Sequence, residues 1–344
     1  MSDKKDESTK ADEEYERLKQ SRFKQQKLPA WRPVPTITST TITFVSFGII
    51  FIILGIIILV YSHKIKEYKQ IYSEGECKNK FLDINEYYNN SKIPPNCEID
   101  IKVEDDMDTP VMVYYQINKF YQNHRRYVKS KNDDQLHGKE ISRKVADDDC
   151  KHAVTNKEMG VTTNLNGEPL NPDDVAVPCG LIAKSFFRDS FTLKDENGIT
   201  INIDEKDIAW EADKKIKFKN LPTDDKNKKQ WIDMEDEHFI VWMRPSGLPN
   251  FRKLWGRIRK GSGNGEGGDK NVLKKGTYKV SIKNFFDVSK FEGEKLFIVS
   301  TVNGFGGKNK FLGISYIVVG SISLILSVVF LIGYKIHQNK EKNN

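Results

Sequence analysis

Cysteine is scarce and widely spaced: the chain has four in 344 residues, and no two form a CxxC pair. Structural zinc usually takes closely paired ligands, so this spacing argues against a metal centre. "DDDCKH" sets Cys150 beside His152, but no second pair answers them. HExxH and GxSxG are absent as well, which removes the common metalloprotease and hydrolase signatures. The glycine run "GSGNGEGG", Gly261 to Gly268, has GxGxxG-like spacing but no apolar strand or helix around it, and it reads as a loop. "GFGGKN", Gly304 to Asn309, lacks the spacing and the Ser/Thr of a phosphate-binding loop. "DMEDEH", Asp233 to His238, reads as a solvated acidic face rather than a cation site. No catalytic residue, cofactor or metal is therefore expected. No internal repeat is evident.

Charge is abundant, at 30% of residues and a formal net +7, yet two long stretches have none. They are "ITFVSFGIIFIILGIIILVY" (42–61) and "FLGISYIVVGSISLILSVVFLIGY" (311–334). At 1.5 Å per residue, each is long enough to cross a hydrocarbon core of roughly 30 Å. Some 40 polar residues precede the first run, and it exceeds the length of a cleaved signal, so it reads as a retained anchor. Acid is missing from the flank Arg17 to Thr41, which carries six Lys and Arg. Lys335, Lys340 and Lys342 follow the second run. This bias favours cytosolic tails at 1–41 and 335–344, and an exoplasmic domain at 62–310. "LPAWRPVPT" (Leu28 to Thr36) should lead stiffly into the membrane, with Trp31 at the interface.

Cys77, Cys97, Cys150 and Cys179 all fall between the two runs, as expected for two disulfides in an oxidising compartment. Three pairings are possible. The sequential one, Cys77–Cys97 with Cys150–Cys179, closes the shortest loops and is preferred. Asn89-Asn90-Ser91 is the only glycosylation sequon in this segment, making Asn89 the candidate acceptor.

Alternation predicts strands at Val111 to Ile117, Ile199 to Ile203, Thr277 to Phe285 and Lys295 to Val302, and the apolar run Phe239 to Met243 reads as a core strand. Helices are expected near Phe120 to Lys129 and Asn250 to Arg259. The fold class is a membrane protein with two transmembrane helices flanking a large, mainly antiparallel β-sandwich with short helices. "FYQNHRRYVKS", Phe120 to Ser130, interleaves aromatic and basic residues in the manner of a nucleic-acid groove. An exoplasmic location speaks against that ligand, so no nucleic acid is expected. The stretch reads instead as architecture, with Phe120, Tyr121 and Tyr127 packed inward and Arg125 and Arg126 paired with nearby acids such as Asp133 and Asp134, or with backbone carbonyls. The sharper alternative is a docking edge for a partner's exoplasmic loops or a lipid headgroup.

Several long stretches together carry a resemblance. "FKQQKLPAW" (from Phe23), "YYQINKFYQNHRRYVKSKNDDQL" (from Tyr114), "PCGLIAKSFFRDSF" (from Pro178), "VWMRPSGLPNFRKLWGRI" (from Val241) and "GGKNKFLG" (from Gly306) occur in this order. The chain resembles the cell-division-control-protein-50, or ligand-effect-modulator, family. Its members are non-catalytic β-subunits of phospholipid flippases, the type IV P-type ATPases. The resemblance implies a heterodimer with the catalytic α-subunit, in contact with membrane phospholipids. The subunit would support folding, exit from the endoplasmic reticulum and the catalytic cycle of a pump that moves aminophospholipids to the cytosolic leaflet. The membranes implied are the endoplasmic reticulum, the Golgi and endosomal system, or the plasma membrane. The Asp-Lys-Thr-Gly signature of the pumps themselves is absent. Lys184 and Arg188 stand where relatives often carry sequon asparagines, so glycans there are excluded. Trp31, Arg125, Arg126, Arg244, Phe251 and Arg252 are the expected partner contacts. Gly48, Gly55, Gly313 and Gly320 would let the helices approach neighbours closely. The rival reading is a stand-alone exoplasmic receptor or lectin-like protein.

Overall fold

A computed structural model describes residues 15–16, 19, 21–27, 36–82, 94–259, 272–304 and 306–343. Trp31, Asn89 and the run Gly261 to Gly268 lie outside them. The chain divides into two compact units, Met1–Ile56 with Leu312–Asn344, and Ile57–Phe311.

The helical unit is built on Ile37–His63 and Lys310–Asn343, both long and apolar enough to cross a membrane. Their mutual packing depends on glycine. A Cβ on Gly48 would lie 2.7 Å from Leu324 Cδ2 and 3.0 Å from the Gly320 carbonyl oxygen. One on Gly55 would lie 2.9 Å from the Gly313 carbonyl oxygen. The four glycines noted in the sequence thus face one another in two pairs within this chain. Small residues at such a crossing replace side-chain bulk with backbone contact. Phe51 meets Tyr316 edge-on at 5.4 Å alongside.

The second unit is an antiparallel β-sandwich. One sheet runs in the order β1-β10-β4-β7 and the other β2-β9-β5-β6. The first comprises β1 (Glu67–Ile71), β4 (Val111–Asn118), β7 (Phe251–Ile258) and β10 (Glu294–Ser300). The second comprises β2 (Cys97–Val103), β5 (Ser190–Lys194), β6 (Thr200–Ile201) and β9 (Gly276–Lys283). A short ribbon pairs β3 (Met107–Asp108) with β8 (Val272–Leu273). The sheets meet through aromatic rings: Phe191 of β5 lies 5.1 Å from both Phe297 of β10 and Trp255 of β7. Cys77–Cys97 ties the chain ahead of β2 to that strand, and Cys150–Cys179 staples the helical insertion between β4 and β5. This is the sequential pairing.

Two elements differ from the sequence reading. Asn250 to Arg259 forms strand β7, not a helix, and pairs with β4 from Ile117↔Phe251 to Val111↔Ile258. A bulge leaves Trp255 without a partner residue, so Trp255 and Gly256 are both buried and the two-residue period breaks. Phe239 to Met243 lies in the helix Glu237–Trp242 and its C-cap, not a strand. The Asp236 side chain accepts from Phe239 N at 2.9 Å, and this cap starts a helix that a short apolar run cannot reveal by periodicity. The strand expected over Ile199 to Ile203 is limited to Thr200–Ile201.

One ion pair lies wholly inside the sandwich. Lys295 on β10 donates to Asp189 Oδ2 at 2.7 Å, and neither side chain has any solvent exposure. Asp189 also accepts from the Tyr72 hydroxyl at 2.8 Å and from the backbone of Phe285 and Phe286. Lys295 further donates to the Asn284 side chain and the Phe286 carbonyl. Burial pushes the Lys295 ammonium below its ordinary value, and Asp189 opposes that shift.

Two expectations follow. Gly48→Leu lowers the thermal-unfolding midpoint in detergent, with overpacking costing about 1–3 kcal/mol. Gly333→Leu, where no atom lies within 4 Å of an added Cβ, leaves the midpoint in place. Removing one buried partner costs about 3–5 kcal/mol, and Asp189→Ala should exceed Lys295→Met in denaturant unfolding because it strands four donors.

Candidate interaction surface

The stretch after β4 is built around the ring of Phe120. Phe120 N donates to the Pro249 carbonyl at 3.0 Å. Its ring lies within 6.4 Å of Tyr127, Trp242, Phe251, Phe286 and Phe291. Tyr127, in the short helix Arg125–Lys129, points its hydroxyl at Ser185 Oγ at 2.7 Å, and burial pushes it up to about 12. Phe120 and Tyr127 therefore pack inward as expected. Tyr121 does not: it is exposed. Arg125 and Arg126 are exposed too and make no ion pair among the described residues. Their expected partners are taken, Asp133 by Lys131 and Asp134 by Lys139. Both are surface pairs tied to nearer lysines, which leaves the arginines facing solvent.

This stretch is laced to the loop after the helix Glu237–Trp242. Gln122 Oε1 accepts from Ser246 N at 2.9 Å, and Asn123 Nδ2 donates to the Gly247 carbonyl at 3.0 Å. Arg244 leaves the same loop, pairs with the buried Asp213, and stacks over the Trp210 ring at 4.9 Å. Beneath it, the buried Lys253 amine donates to the carbonyls of Val241, Trp242 and Arg244. These carbonyls end a helix and need donors. Burial, with the Arg244 charge adding, pulls Lys253 down to about 7.

The edge made by these two loops and the turn Asp213–Lys217 is apolar where it meets solvent. Tyr121 is 62% exposed, Trp210 67%, Ile216 69% and Leu248 70%. Among the described residues between the two long helices, from Lys64 to Asn309, no other large apolar side chain exceeds half exposure. Exposed tryptophan, tyrosine and aliphatic side chains accompanied by arginine are the usual composition of a protein-binding patch. The remaining expected contacts are placed differently. Arg252 pairs with Glu67 at 2.7 Å over the Tyr114 ring. Phe251 is only 7% exposed, against Phe120 and Trp242, so its ring belongs to the core and not to a surface. The reason is register: Phe251 shares the inward phase of β7 with Lys253 and Trp255. Sequence reasoning missed Trp210, Ile216, Tyr121 and Leu248 as surface groups. The available signal was their place in segments dense in charge, proline or glycine.

The acidic run at Asp233 to His238 is occupied by protein partners. Asp233 takes Lys226, Glu235 takes Lys219, Glu237 takes Lys214, and His238 meets Glu205.

The Arg244 hydrogen bond holds the Asp213 carboxyl below its ordinary value. A carboxyl depressed in the folded state stabilises the fold above the unfolded value of about 3.9, and that contribution fades as pH falls through the folded value. Acid titration of the melting temperature should therefore show a smaller loss below about pH 4 in Arg244→Ala than in the parent, from a lower starting stability.

Comparison with known proteins gives one consistent answer. The family model described as LEM3 (ligand-effect modulator 3) family / CDC50 family matches residues 58–340. ALA-interacting subunit 3 of Arabidopsis thaliana is 36% identical, over 95% of this chain and 89% of that protein. Cell cycle control protein 50A of Bos taurus is 36% identical, over 90% and 87%. Cell cycle control protein 50B of Homo sapiens is 31% identical, over 94% and 95%. With two helices fit to cross a membrane, a disulfide-stapled sandwich in the sequence between them and a family-model match over residues 58–340, this chain belongs to the LEM3/CDC50 family.

Proposed function

We propose that the protein is the non-catalytic β-subunit of a phospholipid-translocating, type IV P-type ATPase, and that its exposed apolar edge docks the catalytic subunit. Family membership supports the first part, together with a relative named for interacting with another protein. The second part rests on one observation: Tyr121, Trp210, Ile216 and Leu248 are all largely exposed on segments that Arg244–Asp213 and Gln122–Ser246 tie together. Arginine, tryptophan and tyrosine are the residues that dominate binding energy at protein interfaces. A second copy is the poorer occupant, since a two-fold contact would set arginines against arginines. A partner loop bearing carboxylates and an apolar side chain suits the edge.

In this reading both termini are cytosolic and the sandwich is exoplasmic. The subunit would assist folding of the pump, its exit from the endoplasmic reticulum, and the cycle that carries aminophospholipid inward. It acts by contact, and its leverage on the cycle equals its difference in affinity for the pump's conformations.

Gentle solubilisation of the tagged protein should recover a P-type ATPase in equal amount, identified by mass spectrometry. The double variant Trp210→Asp/Leu248→Asp should reduce that recovery by about tenfold or more while leaving thermal unfolding unchanged. Full recovery with the variant would remove the docking edge and leave the subunit assignment intact. A subunit that purifies alone yet reaches the cell surface would favour the receptor reading and overturn both.

A further inference from the structure

A cavity of about 450 Å³ opens on the sandwich, and Trp210, Ile216, Leu248 and Arg244 do not line it. Its lining is largely aromatic: Phe120, Tyr127, Phe186, Phe286 and Phe291, with Leu181. The volume falls in the range of small-ligand pockets, roughly 300–1,000 Å³. Its charges are of one dominant sign. Lys184, Arg188 and Lys290 line it against a single carboxylate, Asp287. Asp287 is held by its own turn, accepting from Ser289 N at 2.8 Å and Ser289 Oγ at 2.6 Å. Lys184 donates to the Glu158 carbonyl at 2.6 Å. Lys290 is exposed and makes no ion pair among the described residues.

Arg188 is the built element. It is 6% exposed, its guanidinium lies 5.4 Å from the Phe186 ring and 5.2 Å from the Trp231 ring, and it lines the cavity. It also donates to the Phe186 carbonyl at 3.5 Å. Three cations against one carboxylate raise the potential at this concavity and favour an anion there, because charge is screened little away from water. The shape of the wall restricts the rest of the ligand. Phe120 meets Tyr127 at 89°, Phe286 at 88° and Phe291 at 44°. A flat aromatic ligand prefers rings it can stack between or meet edge-on in one defined plane. Walls tilted at mixed angles suit a flexible aliphatic chain.

We infer that this cavity binds an anionic single-chain amphiphile, with its acyl chain among the phenylalanines and its acidic group between Arg188 and Lys290. The acidic group is a carboxylate or a phosphate; a free fatty acid and a lysophospholipid share this chemistry. The site is separate from the exposed edge at Trp210 and Leu248, and it holds whether or not the protein serves a pump.

The test uses the full chain in nanodiscs of zwitterionic phosphatidylcholine. Two probes carry a photoactivatable diazirine on the chain, a palmitate analogue and a lysophosphatidate analogue; the matching fatty alcohol is the neutral control. Labelled peptides are mapped by mass spectrometry. Adducts on the segments 181–188 or 285–291 are expected with at least one anionic probe, and which probe labels identifies the acidic group. Lys290→Glu, at an exposed position where folding is not at risk, should cut labelling about threefold. Arg188→Gln should cut it about tenfold or more where the variant retains parental unfolding. Adducts confined to the two membrane helices overturn the inference. Equal labelling by the alcohol, or labelling indifferent to Lys290→Glu, overturns it as well.

Discussion

A lysine and an aspartate with no access to water hold the two sheets of the sandwich together. Burying two charges costs several kcal/mol each unless every donor and acceptor is met. Here they are met. Asp189 Oδ2 takes the Lys295 ammonium and the Tyr72 hydroxyl, while Oδ1 takes the backbone N–H groups of Phe285 and Phe286. The ammonium has three donors and three acceptors: Asp189, Asn284 and the Phe286 carbonyl. Such a pair adds little net stability relative to well-packed apolar groups, but it penalises every other arrangement. A slip of β10 by one residue would present Leu296 or Glu294 to Asp189 and leave the lysine uncompensated.

The consequences run outward from that carboxylate. Asp189 ends the segment Leu181 to Arg188, and the backbone it grips begins the segment Phe285 to Phe291. These segments form the two walls of the aromatic cavity. One acidic side chain thus sets the separation of the walls. The Leu181 segment is anchored at its other end by the Cys150–Cys179 disulfide and by the Trp242 indole, which donates to the Ile182 carbonyl at 2.8 Å. With both ends fixed, the cavity is preorganised, and a ligand need not order its walls on entry.

Much of this fold is legible in the sequence because it follows from period and length. Two uncharged runs gave the membrane helices, clean alternation gave β4 and β9, and cysteine spacing gave the disulfides. The failures have a common cause: a residue whose role is tertiary interrupts the local pattern. β7 hides because Lys253 sits on its inward face beside Phe251 and Trp255, and because a bulge shifts the phase at Trp255. The helix Glu237–Trp242 hides because its six residues, three of them buried (Phe239, Ile240 and Trp242), are too few to show a helical period. Lys295 was within reach of inspection, since it shares a face with Phe297 and Val299. A lysine in phase with core residues is a signal of a buried pair. Its partner, 106 residues earlier, carries no such signal. The exposed edge was half legible: Arg125, Arg126 and Arg244 stand out by charge, whereas the exposure of Trp210 and Ile216 depends on where the turn Asp213–Lys217 is carried.

Lys253 connects core to surface. Its amine spans the carbonyls of Val241, Trp242 and Arg244, so it closes the helix from whose end Arg244 departs. Burial and the neighbouring guanidinium bring the amine near 7, while three carbonyl dipoles converge on it. An apolar side chain there would strand three carbonyls; a shorter cation would not reach all of them. The lysine is therefore specified by helix termination and not by solvent. The placement of Arg244 over Trp210 follows from that termination, since the residue leaves the helix at the carbonyl Lys253 holds. A surface used for recognition gains rigidity when its arginine is fixed from behind in this way, because less side-chain freedom is lost on binding.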